Sequence, residues 1–164
     1  MDLFFDQEQL LLRRQVHSWV EKNLISASVE EKDMDRQARQ LVKRLGQEGF
    51  TTYAVAKRYG GARESVQARD LSILREELAR GSALADTMFA VQALGSYPIT
   101  LAGSDEQKRR YLPPIARGEA IAAFALTEPQ AGSDISSMET RAVRRGGEYR
   151  LTGVKRFISN AGIA

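Results

Sequence analysis

Ala123-Phe124-Ala125-Leu126-Thr127-Glu128-Pro129-Gln130-Ala131-Gly132-Ser133-Asp134 is the stretch on which the reading of this chain turns. It opens on the end of a short apolar run, Ile121 to Leu126, whose length predicts a β-strand. Pro129 and Gly132 then force a turn, and Gly132 lets the backbone approach a neighbour closely because it has no side chain. Thr127 and Ser133 add hydroxyls. Exposed N–H groups in such a turn suit a phosphate or the edge of a heteroaromatic ring. On local chemistry alone a ligand cradle and an ordinary polar β-turn stand level. Glu128 and Asp134, read in isolation, could also be taken for the carboxylate pair of a glycosidase.

Upstream of this stretch the pattern is helical. Asp6 followed by Gln9 predicts a capping box, with Phe5 and Leu10 as its hydrophobic staple. Leu12, Val16, Trp19 and Val20 then share one face, and the pattern runs to about Leu24. A second helix is expected from near Asp35, with Ala38, Leu41, Val42 and Leu45 inside and Gly49 as its stop. Phe50 to Glu64, with Tyr59-Gly60-Gly61, reads as a loop. Leu71, Leu74 and Leu78 mark a third helix closed by Gly81, and Leu84 to Leu94 is apolar on most sides, as a central helix would be. Pro98 reads as a helix start or kink. Ser104 to Gln107 forms a second capping box before a short basic helix that should stop at Pro113-Pro114.

Downstream the character changes near Gly118. Gly146-Gly147 separates Thr140–Val143 from Tyr149–Leu151, which predicts a hairpin, and Val154 to Ile158 reads as another strand. The chain is therefore read as mainly α: a helical domain over residues 1–118, followed over 119–164 by the opening strands of an incomplete β domain. Open strand edges immediately before Ala164 suggest a piece of a longer protein.

Composition narrows the chemistry. The chain has 164 residues, 43% apolar and 27% charged, with a net charge of +3, which fits a globular domain. Its arginines are mixed with Glu and Asp, the pattern of solvated helix faces rather than of a nucleic-acid footprint. There is no cysteine, so disulfides, thiolate metal sites and Cys nucleophiles are excluded. His17 is the one histidine, beside Trp19, and is read as structural; no metal is expected. The N-terminus from Met1 to Asp6 lacks a basic leader and a long apolar run, so the expected compartment is the cytoplasm, with no membrane contact.

Two blocks carry a family likeness. Thr127-Glu128-Pro129 followed by Ala131-Gly132-Ser133-Asp134 resembles the signature of the acyl-CoA dehydrogenases, and Gly153-Val154-Lys155-Arg156-Phe157-Ile158-Ser159-Asn160 resembles a second block of that family, Gly-x-Lys-x-Trp-Ile-Thr-Asn. Tyr59-Gly60-Gly61, Tyr97-Pro98-Ile99 and Gly103 to Lys108 also fall where the family has similar blocks, so the likeness covers essentially the whole chain. It implies a helical N-terminal domain leading into a central β-barrel, here represented only by its first strands. It further implies FAD as cofactor, an acyl-CoA substrate, electron-transfer flavoprotein or a similar acceptor as partner, and a homotetramer.

By the same resemblance, backbone groups from Phe124 through Leu126 to Thr127 would meet the flavin's pyrimidine edge, with the Thr127 hydroxyl bonded to the ring. Gly132 would permit close approach, and Ser133 would sit between the cofactor's phosphates and the CoA, touching both. Phe157 stands where the family usually has Trp beside the isoalloxazine, with Ile158 next to it. Ser159 stands where the family usually has Thr near N5. The family's reaction removes an α proton with a glutamate while the β hydrogen leaves as hydride. That glutamate belongs to a C-terminal domain, so no catalytic residue is expected in this chain. Glu128 is read as shaping its turn, and the Met88, Val91 and Leu94 stripe as core, with contact to the acyl pocket as the alternative. An acyl-CoA oxidase of the same fold, a relative associated with DNA damage and a non-enzymatic helical interaction module are the competing readings.

Overall fold

A computed structural model describes residues 5–25 and 33–164; Met1 to Phe4, read above for a leader, lie outside them. Helix α1 spans Gln7–Val20 and opens on the expected capping box: Asp6 accepts from the Gln9 N–H at 2.8 Å, and the Gln9 side chain accepts from the Asp6 N–H at 3.2 Å. A wider π turn, Glu21–Ile25, prolongs it. Helix α2, Met34–Gln47, is capped by the Asp33 carboxylate, and Gly49 ends the turn after it at φ 79°. The stretch read as a loop contains two 3-10 turns, Phe50–Ala54 and Lys57–Tyr59. Helix α3, Ala68–Gly81, packs on α1 and on α4, Ala83–Ala102; α4 also touches α2 and α5, Asp105–Ala116. Helix α4 is therefore central, as its composition predicted.

Leu12, Val16, Val20, Leu41, Val42, Leu45, Leu74, Leu78 and Phe89 meet in one core, where Trp19 and Phe50 make an edge-to-face contact at 5.4 Å. Each such side chain contributes about 1.5–3 kcal/mol by leaving water, so this apolar cluster dominates the energetics. Charges sit at its edge. Glu77 on α3 is nearly buried and takes hydrogen bonds from Arg13 at 3.2 Å, Arg80 at 3.2 Å and His17 Nδ1 at 2.9 Å. Burial alone would raise its carboxyl, but those three partners outweigh burial and hold it below its ordinary value. His17 thus ties α1 to α3, which suits its structural reading.

Three prolines sit inside helices: Pro98 is not a helix start and Pro113-Pro114 is not a stop. Helix α4 runs unbroken through Pro98, and α5 runs through Pro113 and Pro114 to Ala116. A proline leaves the carbonyl four residues earlier without its N–H. Those carbonyls belong to Leu94, Arg109 and Arg110, all residues of exposed positions. Leu112, Ile115 and Ala116, buried against Val55 and Tyr59, hold the last turn of α5 in place.

The C-terminal part holds one antiparallel hairpin, β1 (Arg141–Arg145) and β2 (Glu148–Thr152), turning at Gly146-Gly147 with Arg145 opposite Glu148. The strands expected over Ile121–Leu126 and Val154–Ile158 are not formed: both segments are irregular, with no ladder partner among the described residues. Side chains do the pairing instead. Gln92 of α4, fully buried, accepts from the Ala122 N–H at 2.6 Å and donates to the Ala120 carbonyl at 2.9 Å, while Asn160 donates to the Ala122 carbonyl at 3.1 Å.

Candidate functional site

Segment 122–127 lies directly on α4 because position 95 is glycine. A Cβ there would stand 2.8 Å from that of Ala122 and 2.9 Å from the Ala123 carbonyl. A mid-helix glycine costs about 1 kcal/mol relative to alanine, and close approach of the segment is what it permits. The second segment, 155–160, is joined to the first by three contacts. Arg156 donates its N–H to the Thr127 carbonyl at 2.9 Å, Lys155 Nζ donates to the Leu126 carbonyl at 2.9 Å, and Asn160 reaches Ala122.

Between α4 and these segments is a cavity of about 200 Å³, lined by Val91, Leu94, Phe124, Leu126, Thr127, Phe157, Ile158 and Ser159. Six of the residues named from sequence therefore share one wall system, drawn from two motifs and joined by two positions of α4. Val91 and Leu94 of the apolar stripe line it, whereas Met88 is in the core. Phe157 is 84% exposed and holds φ 57°, a left-handed conformation unusual for a bulky residue; Arg156 stacks on its ring at 5.0 Å. Apolar and aromatic walls with two hydroxyls, Thr127 and Ser159, suit a planar heteroaromatic ring that needs packing plus a few directed hydrogen bonds.

Gly132 and Ser133 are exposed and lie outside this cavity's lining. Gly132 has ordinary negative backbone geometry, and a Cβ built on it meets nothing within 4 Å, so no protein contact demands glycine there. Beyond it Asp134 accepts from the Ser136 N–H at 3.0 Å and hydroxyl at 2.6 Å, which lowers its carboxyl and caps a short 3-10 turn.

Glu128 makes more contacts than its turn alone requires. It is buried, and it accepts from Lys155 Nζ at 2.8 Å, the Glu139 N–H at 2.7 Å, the Thr140 N–H at 3.1 Å and the Gln130 amide at 3.1 Å. The Lys155 bond foremost, with those from Thr140 and Glu139, lowers its carboxyl to about 2. Its own N–H and carbonyl close the turn through Ala131 at 2.9 and 3.2 Å. Glu128 shapes the turn, as expected, and also grips the root of the hairpin. Gln92, Lys155 and Asn160 had no assigned role; the one signal for Gln92 was an amide inside an apolar helix.

Comparison with known proteins is consistent across sequence and structure. A family model described as acyl-CoA dehydrogenase, N-terminal domain, matches residues 6–119, and one described as acyl-CoA dehydrogenase, middle domain, matches 123–164. An acyl-CoA dehydrogenase of Bacillus subtilis is 38% identical over 159 residues, covering 96% of this chain and 41% of the relative. Butyryl-CoA dehydrogenase from Megasphaera elsdenii superposes with a TM-score of 0.83 at 31% identity, covering 100% of this chain and 44% of that one. A glutaryl-CoA dehydrogenase from Mycobacterium smegmatis in complex with FADH2 does so at 0.82 and 30%, covering 100% and 42%. The chain thus spans less than half the length of these relatives.

Proposed function

This chain belongs to the acyl-CoA dehydrogenase family, and from that premise we propose that the whole protein carries out FAD-dependent α,β-dehydrogenation of an acyl-CoA thioester. The observation that carries the proposal is the convergence of Phe124, Leu126, Thr127, Phe157, Ile158 and Ser159 on one cavity against α4. The residues fit a flavin: Phe157 offers an uncovered aromatic face, and Thr127 and Ser159 offer hydroxyls. When bound, the flavin supplies the hydride acceptor.

In this reading the chain's own residues align rather than react. Phe124, Leu126, Phe157 and Ile158 pack on the ring and exclude water; Thr127 and Ser159 direct hydrogen bonds to it. Gly132 and Ser133 serve the cofactor's phosphates, and Ser133 also the CoA. The cavity's lining contains no carboxylate. Glu128, ionised, buried and bound to Lys155, is a poor proton acceptor near neutral pH. By the family resemblance the base that takes the α proton comes from a C-terminal domain outside this chain, and residues 1–164 alone should turn over no acyl-CoA. Division into a helical domain over 1–118 and a β domain from 119, assembly as a homotetramer, electron delivery to electron-transfer flavoprotein and a cytoplasmic setting belong to the same proposal. Among the described residues no helix is long and apolar enough to cross a membrane.

Gly132→Val tests it. A Cβ at 132 has open space around it, so the variant should fold and melt as the unsubstituted protein does. It should nevertheless lose the yellow absorbance of bound FAD, because the new side chain occupies the space assigned to the cofactor. Full retention of FAD with unchanged affinity would remove this turn from the site.

A further inference from the structure

Phe157, Ile158 and Ser159 cannot hold their own places in the cavity. Phe157 is 84% exposed and Ser159 is exposed, so little packing restrains either. What restrains them lies on both flanks. On one side Lys155 spans 27 residues to Glu128 and 29 to Leu126, donating to the Glu128 carboxylate at 2.8 Å and the Leu126 carbonyl at 2.9 Å. The adjacent Arg156 N–H meets Thr127. On the other side Asn160 donates to Ala122. One ammonium thus ties the segment bearing Phe157 and Ser159 to the segment bearing Phe124 and Thr127.

The tie is strong where it matters. Lys155 is about three-quarters covered and Glu128 nearly wholly so. A charge-assisted bond between such groups is roughly twice as strong as a neutral one and fixes direction as well as distance. It also sorts the polarity of the corner. The carbonyls of Leu126 and Thr127 are both engaged across the tie, so the corner has N–H groups and the Thr127 hydroxyl to offer a ligand's acceptor edge.

We propose that Lys155, held by Glu128, is a positioning residue for the cofactor: its ammonium sets the spacing between the Phe157–Ser159 and Phe124–Thr127 walls, and thereby both the affinity for the flavin ring and the ring's reduction potential. The inference rests on the flavin reading of the cavity. Glu128 is ionised across the neutral range, so the ion pair is present whenever the enzyme would work. No atom of Lys155 lines the cavity, so its effect reaches the ring through the walls it joins.

The test uses the full-length flavin-loaded protein and three variants: Lys155→Met, Lys155→Arg, and Lys155→Met combined with Glu128→Gln. The double variant guards against misfolding, since an uncompensated buried carboxylate is itself destabilising. The expected result is a weakening of FAD binding by about tenfold or more in Lys155→Met, the loss of one buried charge-assisted bond. A shifted flavin absorbance band and a changed reduction potential should accompany it. Lys155→Arg should recover part of each, because it restores a cation, and the double variant should resemble Lys155→Met. If the unsubstituted protein binds FAD and folded Lys155→Met and double variants match it in affinity, spectrum and potential, the inference is overturned while the flavin reading stands. Failure of the unsubstituted protein to bind FAD would overturn the reading itself and this inference with it. Unfolding of all three variants would mark the pair as a determinant of the fold and overturn its assignment to the cofactor.

Discussion

The helices and the C-terminal part are held by different physics. Between α1 and α5 the fully buried groups are mostly Val, Leu, Ile and Phe, and the polar contacts are accessories at the edge. From residue 119 onward few apolar side chains are buried, and every position of β1 and β2 is exposed. Order there comes from Gln92, Glu128, Lys155 and Asn160 bonding to backbone. Apolar burial tolerates sliding because it has no direction, whereas these bonds specify angle and distance. A scaffold can be made the first way. A wall that must face a ring needs the second.

The largest effect should come from breaking the first kind of order. Phe89 is fully buried, so Phe89→Ala should destabilise the protein by about 3–5 kcal/mol, measured by urea unfolding followed by circular dichroism. Gln92→Leu attacks the second kind. It keeps the volume but leaves the Ala122 N–H and Ala120 carbonyl unpaired in a buried place, at a cost of about 1–3 kcal/mol. Its signature should be local: limited proteolysis near residues 120–123 should accelerate more than global unfolding does. Equal acceleration everywhere would erase the distinction between the two regions.

Acid should separate them more finely. Folding lowers the Glu128 carboxyl from 4.5 to about 2, so its contribution to stability is complete above about pH 4.5 and is lost as the pH falls towards 2. Amide resonances of Glu139 and Thr140, which donate to that carboxylate, should titrate with a midpoint near the lower value. A midpoint near 4.5 would mean that the Lys155 pair is absent in solution. The smallest effect is expected on the hairpin: Leu151 is 72% exposed, and Leu151→Ala should change stability by no more than about 0.5 kcal/mol. A larger loss in the full-length protein would show that something covers β2 there.

Legibility in the sequence follows the same division. Both capping boxes, Asp6 with Gln9 and Ser104 with Gln107, were readable because the partners are three residues apart. The apolar faces of α1 to α4 were readable because a helix repeats locally. Ile121–Leu126 misled because an apolar run of that length fits a strand, yet its partners are side chains from α4 and from residue 160. Pro113-Pro114 misled as a helix stop because the rule counts the lost hydrogen bonds and not the packing of Leu112, Ile115 and Ala116 that holds the last turn. Of the site, the motifs led to the six residues that line the cavity together with Val91 and Leu94. The ties that aim them span 27 to 38 residues, and no local pattern announces a contact of that range.

At position 157 the backbone asks for one residue and the cavity for another. A φ of 57° favours glycine or asparagine, and Asn160, at φ 66°, obeys that preference. Phe157 does not. A campaign to make this protein heat-resistant, choosing residues by backbone geometry, would rewrite 157 first and relieve about 1–2 kcal/mol of left-handed strain. The product would be sturdier and would lack the exposed aromatic face of Phe157. An engineer should therefore take the awkward residue as a warning flag, and leave it where it is.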